Sequence, residues 1–278
     1  MHIFKTYDKI IVKYSDLLYS SPDWNWDSFI NRGTLHSQVL KDIQSITPDP
    51  LLANDLKQLC APVASQEIWA SGVTYMRSKD ARMGESKDAG GGDFYARVYS
   101  AERPEIFFKS SASRAVGPGG TVRIRKDSKW NVPEPELVLF ICSAGTIEGY
   151  TIGNDMSSRD IEGENPLYLP QAKSYDGAAA VGPCLYVPAA PISPDTEIQI
   201  AIWRGNDKVF ADAITISRMK RAHQELTDYL FMEMSFPAGA YLMTGTGIVP
   251  PDSFTLNYGD VIEITISNIG TLSNQVGK

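Results

Sequence analysis

Two glutamates stand two residues apart in Pro133-Glu134-Pro135-Glu136, just ahead of an apolar run over residues 137–142. In an extended chain, residues i and i+2 point to one face, so both carboxylates project together. The prolines cannot donate ladder hydrogen bonds, which puts this segment at the start of a strand or on an edge. Side by side, two carboxylates repel unless a cation sits between them; without one, the pair is a solvated acidic strand end. A third acid changes the balance. Residues 149–156 return after a turn near Ala144-Gly145-Thr146, and a hairpin centred there sets Asp155 across from Glu136. Three carboxylates converging in a β scaffold make a hard-oxygen site suited to Mg²⁺, with Mn²⁺ or Ca²⁺ as substitutes, and poor for zinc. Three protein ligands leave open positions for water or substrate, which is the layout of a catalytic metal.

Downstream, Glu162-Gly-Glu164-Asn165-Pro166-Leu-Tyr168-Leu-Pro-Gln171-Ala-Lys173 has no hydrophobic period and several polar groups. Long irregular segments in compact domains often form site walls. Lys173 at its end is a base, an anion-binding cation or an ordinary surface lysine. Lys109, after Ile106-Phe107-Phe108, is either a snorkelling strand-end lysine or a site cation. Thr244-Gly-Thr246-Gly follows an apolar strand; its glycines permit close backbone approach to a ligand or make a tight turn. GxGxxG, a Walker lysine, zinc-type Cys/His spacing and GxSxG are all missing. The three histidines, His2, His36 and His223, lie far from the acidic cluster in sequence and read as structural or solvated.

These residues must be positioned by a mainly β frame. Strand signals recur at residues 68–73, 105–109, 121–125, 136–142, 148–152, 197–203, 208–214 and 261–267, separated by Gly, Pro, Asn and Asp clusters. One amphipathic helix is expected over residues 217–234, closed by Pro237. Residues 1–62 read differently: strand and turn, then one helical stretch from about Asp27 to Ile43, ended by Pro48 and Pro50. Many short strands without a βαβ rhythm predict an α+β, mostly β fold: a mixed roll over 63–278 carrying catalysis, preceded by a small N-terminal α+β domain over 1–62.

The chain has 278 residues, 43% hydrophobic, with net charge −7. That composition is globular. No apolar run approaches the roughly 20 residues of a membrane span, and charges at Lys5, Asp8, Lys9, Lys13 and Asp16 break any signal-peptide core. An acidic chain lacks the footprint of a nucleic-acid binder. Cys60, Cys142 and Cys184 lie far apart and cannot all pair, which fits a reduced cytoplasm.

Taken together, Pro104-Glu105-Ile-Phe-Phe-Lys109, Glu134-x-Glu136, Gly149-Tyr-Thr-Ile-Gly-Asn-Asp155-Met-Ser-Ser-Arg-Asp160, Gly182-Pro183, Thr244-Gly-Thr246 and Gly259-Asp260-Val261 resemble the fumarylacetoacetate hydrolase superfamily from about residue 69 to 276. The resemblance implies a mixed β-sandwich roll, a divalent metal on Glu134, Glu136 and Asp155, Lys173 and Thr246 at the active site, and a homo-oligomer, dimer or tetramer. One departure matters: hydrolases of the family carry Tyr-x-x-His where this chain has Tyr75-Met-Arg77-Ser78. A serine without a partner base cannot replace imidazole at neutral pH. The pattern looks closest to the sugar-acid branch, which implies Mg²⁺-dependent dehydration of a short 2-keto-3-deoxy sugar acid, giving 2,5-dioxopentanoate from a pentonate. On that reading Lys173 moves the C3 proton, Glu105 serves the leaving hydroxyl with Glu162 or Glu164 as alternatives, Arg77 holds the substrate carboxylate and Thr246 bonds a substrate oxygen. The alternatives are a C–C hydrolase of acylpyruvates or 2,4-diketo-3-deoxy sugar acids, and a catalytically degenerate metal-binding relative.

Overall fold

The computed structural model describes residues 1–85 and 92–278. The chain opens with β1 (His2–Lys5), β2 (Ile10–Tyr14), β3 (Leu17–Tyr19), α1 (Trp26–Ile30) and α2 (Leu35–Ile43). β4 (Glu67–Gly72) leads into α3 (Met76–Glu85), α4 (Gly92–Ser100) and β5 (Glu105–Ser111). Short strands β6 (Ala115–Val116), β7 (Thr121–Arg123) and β8 (Asn131–Val132) precede the long hairpin of β9 (Pro135–Ile141) and β10 (Ile147–Asp155). Then come β11 (Ser157–Ser158), α5 (Arg159–Glu164), α6 (Leu169–Lys173), β12 (Ala179–Tyr186), β13 (Glu197–Arg204) and β14 (Asp207–Thr215). The last elements are α7 (His223–Phe231), β15 (Ala240–Met243), β16 (Val261–Ile266) and β17 (Gly270–Gly277).

Two large sheets result, one ordered β3-β2-β1-β12-β10-β9-β15-β4-β5 with β6 beside β12, the other β14-β13-β16-β17-β7, and β8 pairs with β11 in a separate two-stranded sheet. Pairing is mixed: β15 runs parallel to β4 and antiparallel to β9. This is the mostly β, mixed-sheet roll that the strand pattern predicts. β9 is apolar from Leu137 onward because both of its faces are covered. Leu137, Leu139 and Ile141 pack with Ile198, Ile200 and Ile264 of the smaller sheet. Val138 and Phe140 face the other way, onto Trp26, Phe29, Val39 and Ile43 of α1 and α2. Because β1 pairs with β12, the first strands extend the larger sheet.

Several helices differ from expectation. The stretch expected from Asp27 to Ile43 is split at Gly33-Thr34, where Thr34 adopts φ 54°. α2 then starts on a distant cap, since the Glu148 carboxylate accepts from the backbone N–H of Thr34 (3.1 Å) and of Leu35 (2.7 Å). The helix expected over 217–234 is only α7, starting at His223, with residues 219 and 222 extended. Lys220 and Arg221 are held elsewhere: Arg221 donates to the carbonyls of Val98, Ala101 and Glu102 at the end of α4. These tertiary bonds outweigh helix propensity. Conversely, the segment expected to be irregular over 162–173 contains α5, a short 3-10 turn and α6.

At the start of α7, burial pushes the His223 imidazole down to about 4. An imidazole whose folded value lies below its unfolded value of 6.5 stabilises the fold above pH 6.5, and that contribution is lost as pH falls toward 4. Wild type should therefore lose about 1–3 kcal/mol more than His223→Gln between pH 7 and pH 4. Urea unfolding across that range measures it; parallel pH profiles for the two proteins would refute the assignment.

Candidate active site

The acids come together at one end of the β9–β10 hairpin. Glu134 precedes β9, Glu136 is its second residue and Asp155 is the last of β10. All three are buried, and one carboxylate oxygen from each lies within 4.8 Å of the others. The hairpin register differs from the expected one. Gly153 pairs with Glu136, and the backbone N–H of Asp155 donates to the Glu134 carbonyl at 2.9 Å. Asp155 thus stands opposite Glu134, two residues from its expected partner. An irregularity between Ile147 and Gly149 sets this register. A shift of two residues keeps every side chain on its face, whereas a shift of one would have scattered the acids.

Three buried cations surround the acids. Lys173 Nζ lies 2.7 Å from Glu134 Oε2 and 3.3 Å from Asp155 Oδ2. Lys109 Nζ lies 2.5 Å from Asp155 Oδ1, and Arg159 Nη2 lies 3.0 Å from Glu134 Oε1. Glu136 receives the backbone N–H of Gly245 at 2.6 Å. Burial, then the Asp155 and Glu134 carboxylates, push Glu136 well above the usual carboxylate range. Burial holds Lys109 below the usual lysine range, opposed first by Asp155. Three hard oxygens in a dry site, with one acid strained toward protonation, fit a divalent ion of the Mg²⁺ type.

A small cavity opens over the acids. Its walls include Ser71, Gly72, Ser78, Phe107, Gly245 and Thr246, with Arg159 beside the carboxylates. Gly72 pairs with Glu105 across β4 and β5, and the Glu105 carboxylate folds over it. A Cβ at Gly72 would lie 2.0 Å from Glu105 Oε2, so a side chain there would displace that carboxylate. Gly245 has φ 92°, and a Cβ there would meet Thr74 Oγ1 at 2.1 Å. Glycine at this point lets the backbone amide reach Glu136. The Thr244-Gly-Thr246 segment is therefore a close-approach element facing an acid of the site.

Of the residues singled out in sequence, the structure brings Glu134, Glu136, Asp155, Lys173 and Thr246 together, with Glu105 against the Gly72 wall. Glu162 is buried and accepts from Ser157 Oγ at 2.7 Å, outside the cavity lining. Glu164 is exposed. Arg77 is not brought into the cavity; it is exposed and pairs with Asp212 of β14 at 2.9 Å. Ser78 lines the cavity, but a helix turns about 100° per residue, which swings Arg77 outward. Lys109, left open between two readings, is fully buried and faces the acids. Arg159 carries the guanidinium that sequence reasoning placed at Arg77. Its signal lay within Asp155-Met-Ser-Ser-Arg159, where a cation follows a metal-type acid.

A mixed β-roll holding three buried carboxylates, a buried lysine and a cavity above them defines a divalent-metal enzyme site. The chain belongs to the fumarylacetoacetate hydrolase family: the family's C-terminal domain, "Fumarylacetoacetate (FAA) hydrolase C-terminal", matches residues 68–277. A Haloferax volcanii protein named "Probable 2-keto-3-deoxyxylonate dehydratase" is 48% identical over 216 residues, covering 77% of this chain and 73% of that one. The 2-dehydro-3-deoxy-D-arabinonate dehydratase of Saccharolobus solfataricus is 42% identical over 228 residues, covering 81% and 76%. Among solved structures, a 2-keto-3-deoxy-D-arabinonate dehydratase complexed with magnesium and 2,5-dioxopentanoate superposes with TM-score 0.84 at 32% identity, covering 100% of this chain and 99% of that one.

Proposed function

We propose that this protein is a Mg²⁺-dependent hydro-lyase that converts a 2-keto-3-deoxy pentonate of the arabinonate or xylonate type to 2,5-dioxopentanoate. The observation that carries the reading is the buried Glu134, Glu136 and Asp155 cluster with Lys173 against it, in a chain 42–48% identical to two proteins named as dehydratases of such acids. Held by the three carboxylates, Mg²⁺ supplies the Lewis acidity that makes C3 beside a 2-keto group acidic. Lys173 takes the C3 proton. Glu105, folded over Gly72, delivers a proton to the C4 hydroxyl, which departs as water. Arg159 is better placed than Arg77 to meet the substrate carboxylate, because it lines the cavity. Thr246 offers a hydroxyl to a substrate oxygen. The unsaturated keto acid then loses a proton from C5 and gains one at C3, giving the C4–C5 enol, and loss of the enol O5 proton with protonation of C4 yields the dioxo acid. Loss of water and tautomerisation need no external electrons, so no redox cofactor enters. Residues 63–278 carry this chemistry, and residues 1–62 serve as an N-terminal supporting unit. The protein acts in the cytoplasm as a dimer or tetramer, a reading supported by its three free cysteines and by the family. Among the described residues no helix is long and apolar enough to cross a membrane.

A substrate panel with Mg²⁺ tests the reading. The expected best reaction is 2,5-dioxopentanoate formation from a 2-keto-3-deoxy pentonate. Ser78, whose hydroxyl donates to the Tyr75 carbonyl at 2.8 Å, brings no imidazole to the cavity wall. Pyruvate release from an acylpyruvate as the faster reaction would overturn the assignment in favour of a C–C hydrolase. No turnover of any 2-keto acid would leave a metal-binding relative without activity.

A further inference from the structure

Lys109 is fully buried on β5, two residues beyond the cavity-lining Phe107. An ammonium carries three donors and no acceptor. Nζ donates to the carbonyl of Met156 at 2.9 Å and to the carbonyl of Lys173, and its charge pairs with Asp155 Oδ1 at 2.5 Å. Held by these three protein groups and outside the cavity lining, this lysine is not presented to a substrate oxygen. Complete burial also removes the snorkelling alternative, since no part of the side chain reaches water.

The identity of the three partners is informative. One is a metal-type carboxylate at the end of β10. The second is the carbonyl of the next residue. The third is the main chain of Lys173, which closes α6. Lys173 turns its own ammonium back onto Glu134 and onto the other oxygen of Asp155. The Asp155 carboxylate is therefore gripped on Oδ1 by Lys109 and on Oδ2 by Lys173, while Lys109 also holds the backbone of Lys173. A cation present only to balance charge would contact the carboxylate and would have no reason to bind two carbonyls on separate segments.

We propose that Lys109 is a positioning residue: it locks Asp155 and Lys173 into one rigid unit and so sets the separation between the metal-binding acids and the group that moves the C3 proton. The catalytic half of this statement rests on the reading of Lys173 given above; the metal half does not. A misplacement of about 1 Å costs about 100-fold in rate, and loss of a residue that orients a metal ligand costs about 10–100-fold in affinity.

The two halves separate experimentally. Mg²⁺ is titrated calorimetrically into metal-free wild type, Lys109→Met and Lys109→Gln, and kcat and KM are measured on a 2-keto-3-deoxy pentonate. Lys109 is also a positive charge beside a metal ligand, so simple electrostatics predicts tighter Mg²⁺ binding once it is gone. Positioning predicts the opposite: the Kd of Lys109→Met should rise about tenfold. Its kcat should fall about 100-fold with KM changed less than about threefold. Lys109→Gln keeps two donors and should recover part of both losses. A Kd that falls, or a kcat equal to wild type, overturns the proposal. Failure of both variants to fold assigns Lys109 to stability alone and overturns it too. If wild type turns over no 2-keto-3-deoxy acid while the Kd still rises, the dehydratase reading fails and the clamp on Asp155 stands.

Discussion

Glu136→Gln is expected to give a folded protein that binds Mg²⁺ at least about 100-fold more weakly and has almost no turnover. The substitution is isosteric, and the amide oxygen can still accept the Gly245 N–H that Glu136 Oε2 accepts at 2.6 Å. Only the charge and the second ligand lone pairs are lost. The sign of the stability change is as diagnostic as the loss of binding. Glu136 is an acid whose folded pKa stands well above its ordinary value, first through burial and then through Asp155 and Glu134. Such a group contributes stability at low pH, and that contribution is lost as pH rises through the folded value. Above its folded value the ionised acid is a liability that the amide removes. Metal-free Glu136→Gln should therefore melt at or above wild type. Mg²⁺ should raise the wild-type midpoint and leave that of the variant nearly unchanged. Wild-type turnover by the variant at limiting Mg²⁺ would remove Glu136 from the ligand set.

That the acids could be found at all reflects the period of a β-strand. Glu134 and Glu136 share a face by parity, and Asp155 joins them in either register because the difference between the two is even. What could not be read was the irregularity at Glu148, whose carboxylate is engaged in capping α2 far away in sequence. The strands of the roll were legible for a related reason. β9, β13 and β16 are rich in Val, Ile and Leu, and their outlines follow from burial on one face or two.

Helices fared worse wherever distant groups decide them. Residues 217–222 have helical spacing, yet Arg221 leaves the helix to bind three carbonyls near residue 100. α5 and α6 are too short to display a period, so the segment between Asp155 and Lys173 read as irregular. The same limit explains the guanidinium. Arg77 stands next to the cavity residue Ser78 in sequence, but it lies on a different side of α3 and pairs with Asp212. Arg159 reaches the acids because α5 begins immediately after β11, within a few residues of Asp155. Local pattern names the chemistry; which of two like residues performs it depends on where a helix begins.

The turn that α6 makes also frames the second large effect. Lys173 is fully buried, with Nζ 2.7 Å from Glu134 Oε2 and 3.3 Å from Asp155 Oδ2. Methionine matches the length of the chain without the amine, so Lys173→Met should preserve the packing of α6. It leaves two acids short of a counter-charge, which costs stability in metal-free protein and is relieved when a divalent ion binds. Two roles for the amine then predict different kinetics. If it moves the C3 proton, the variant should bind Mg²⁺ and substrate yet lose about 10²–10⁴-fold in kcat. If it only anchors the substrate anion, the loss should fall mainly on KM. Exchange of the C3 protons with solvent deuterium separates the steps without requiring loss of water. Because proton removal precedes departure of the C4 hydroxyl in the proposed sequence, exchange should slow in Lys173→Met by as much as turnover does. In Glu105→Gln, where only the later step is impaired, exchange should persist while dioxopentanoate formation falls. A Lys173→Met protein that exchanges C3 protons at the wild-type rate would take the base role away from Lys173 and leave it as a binding residue.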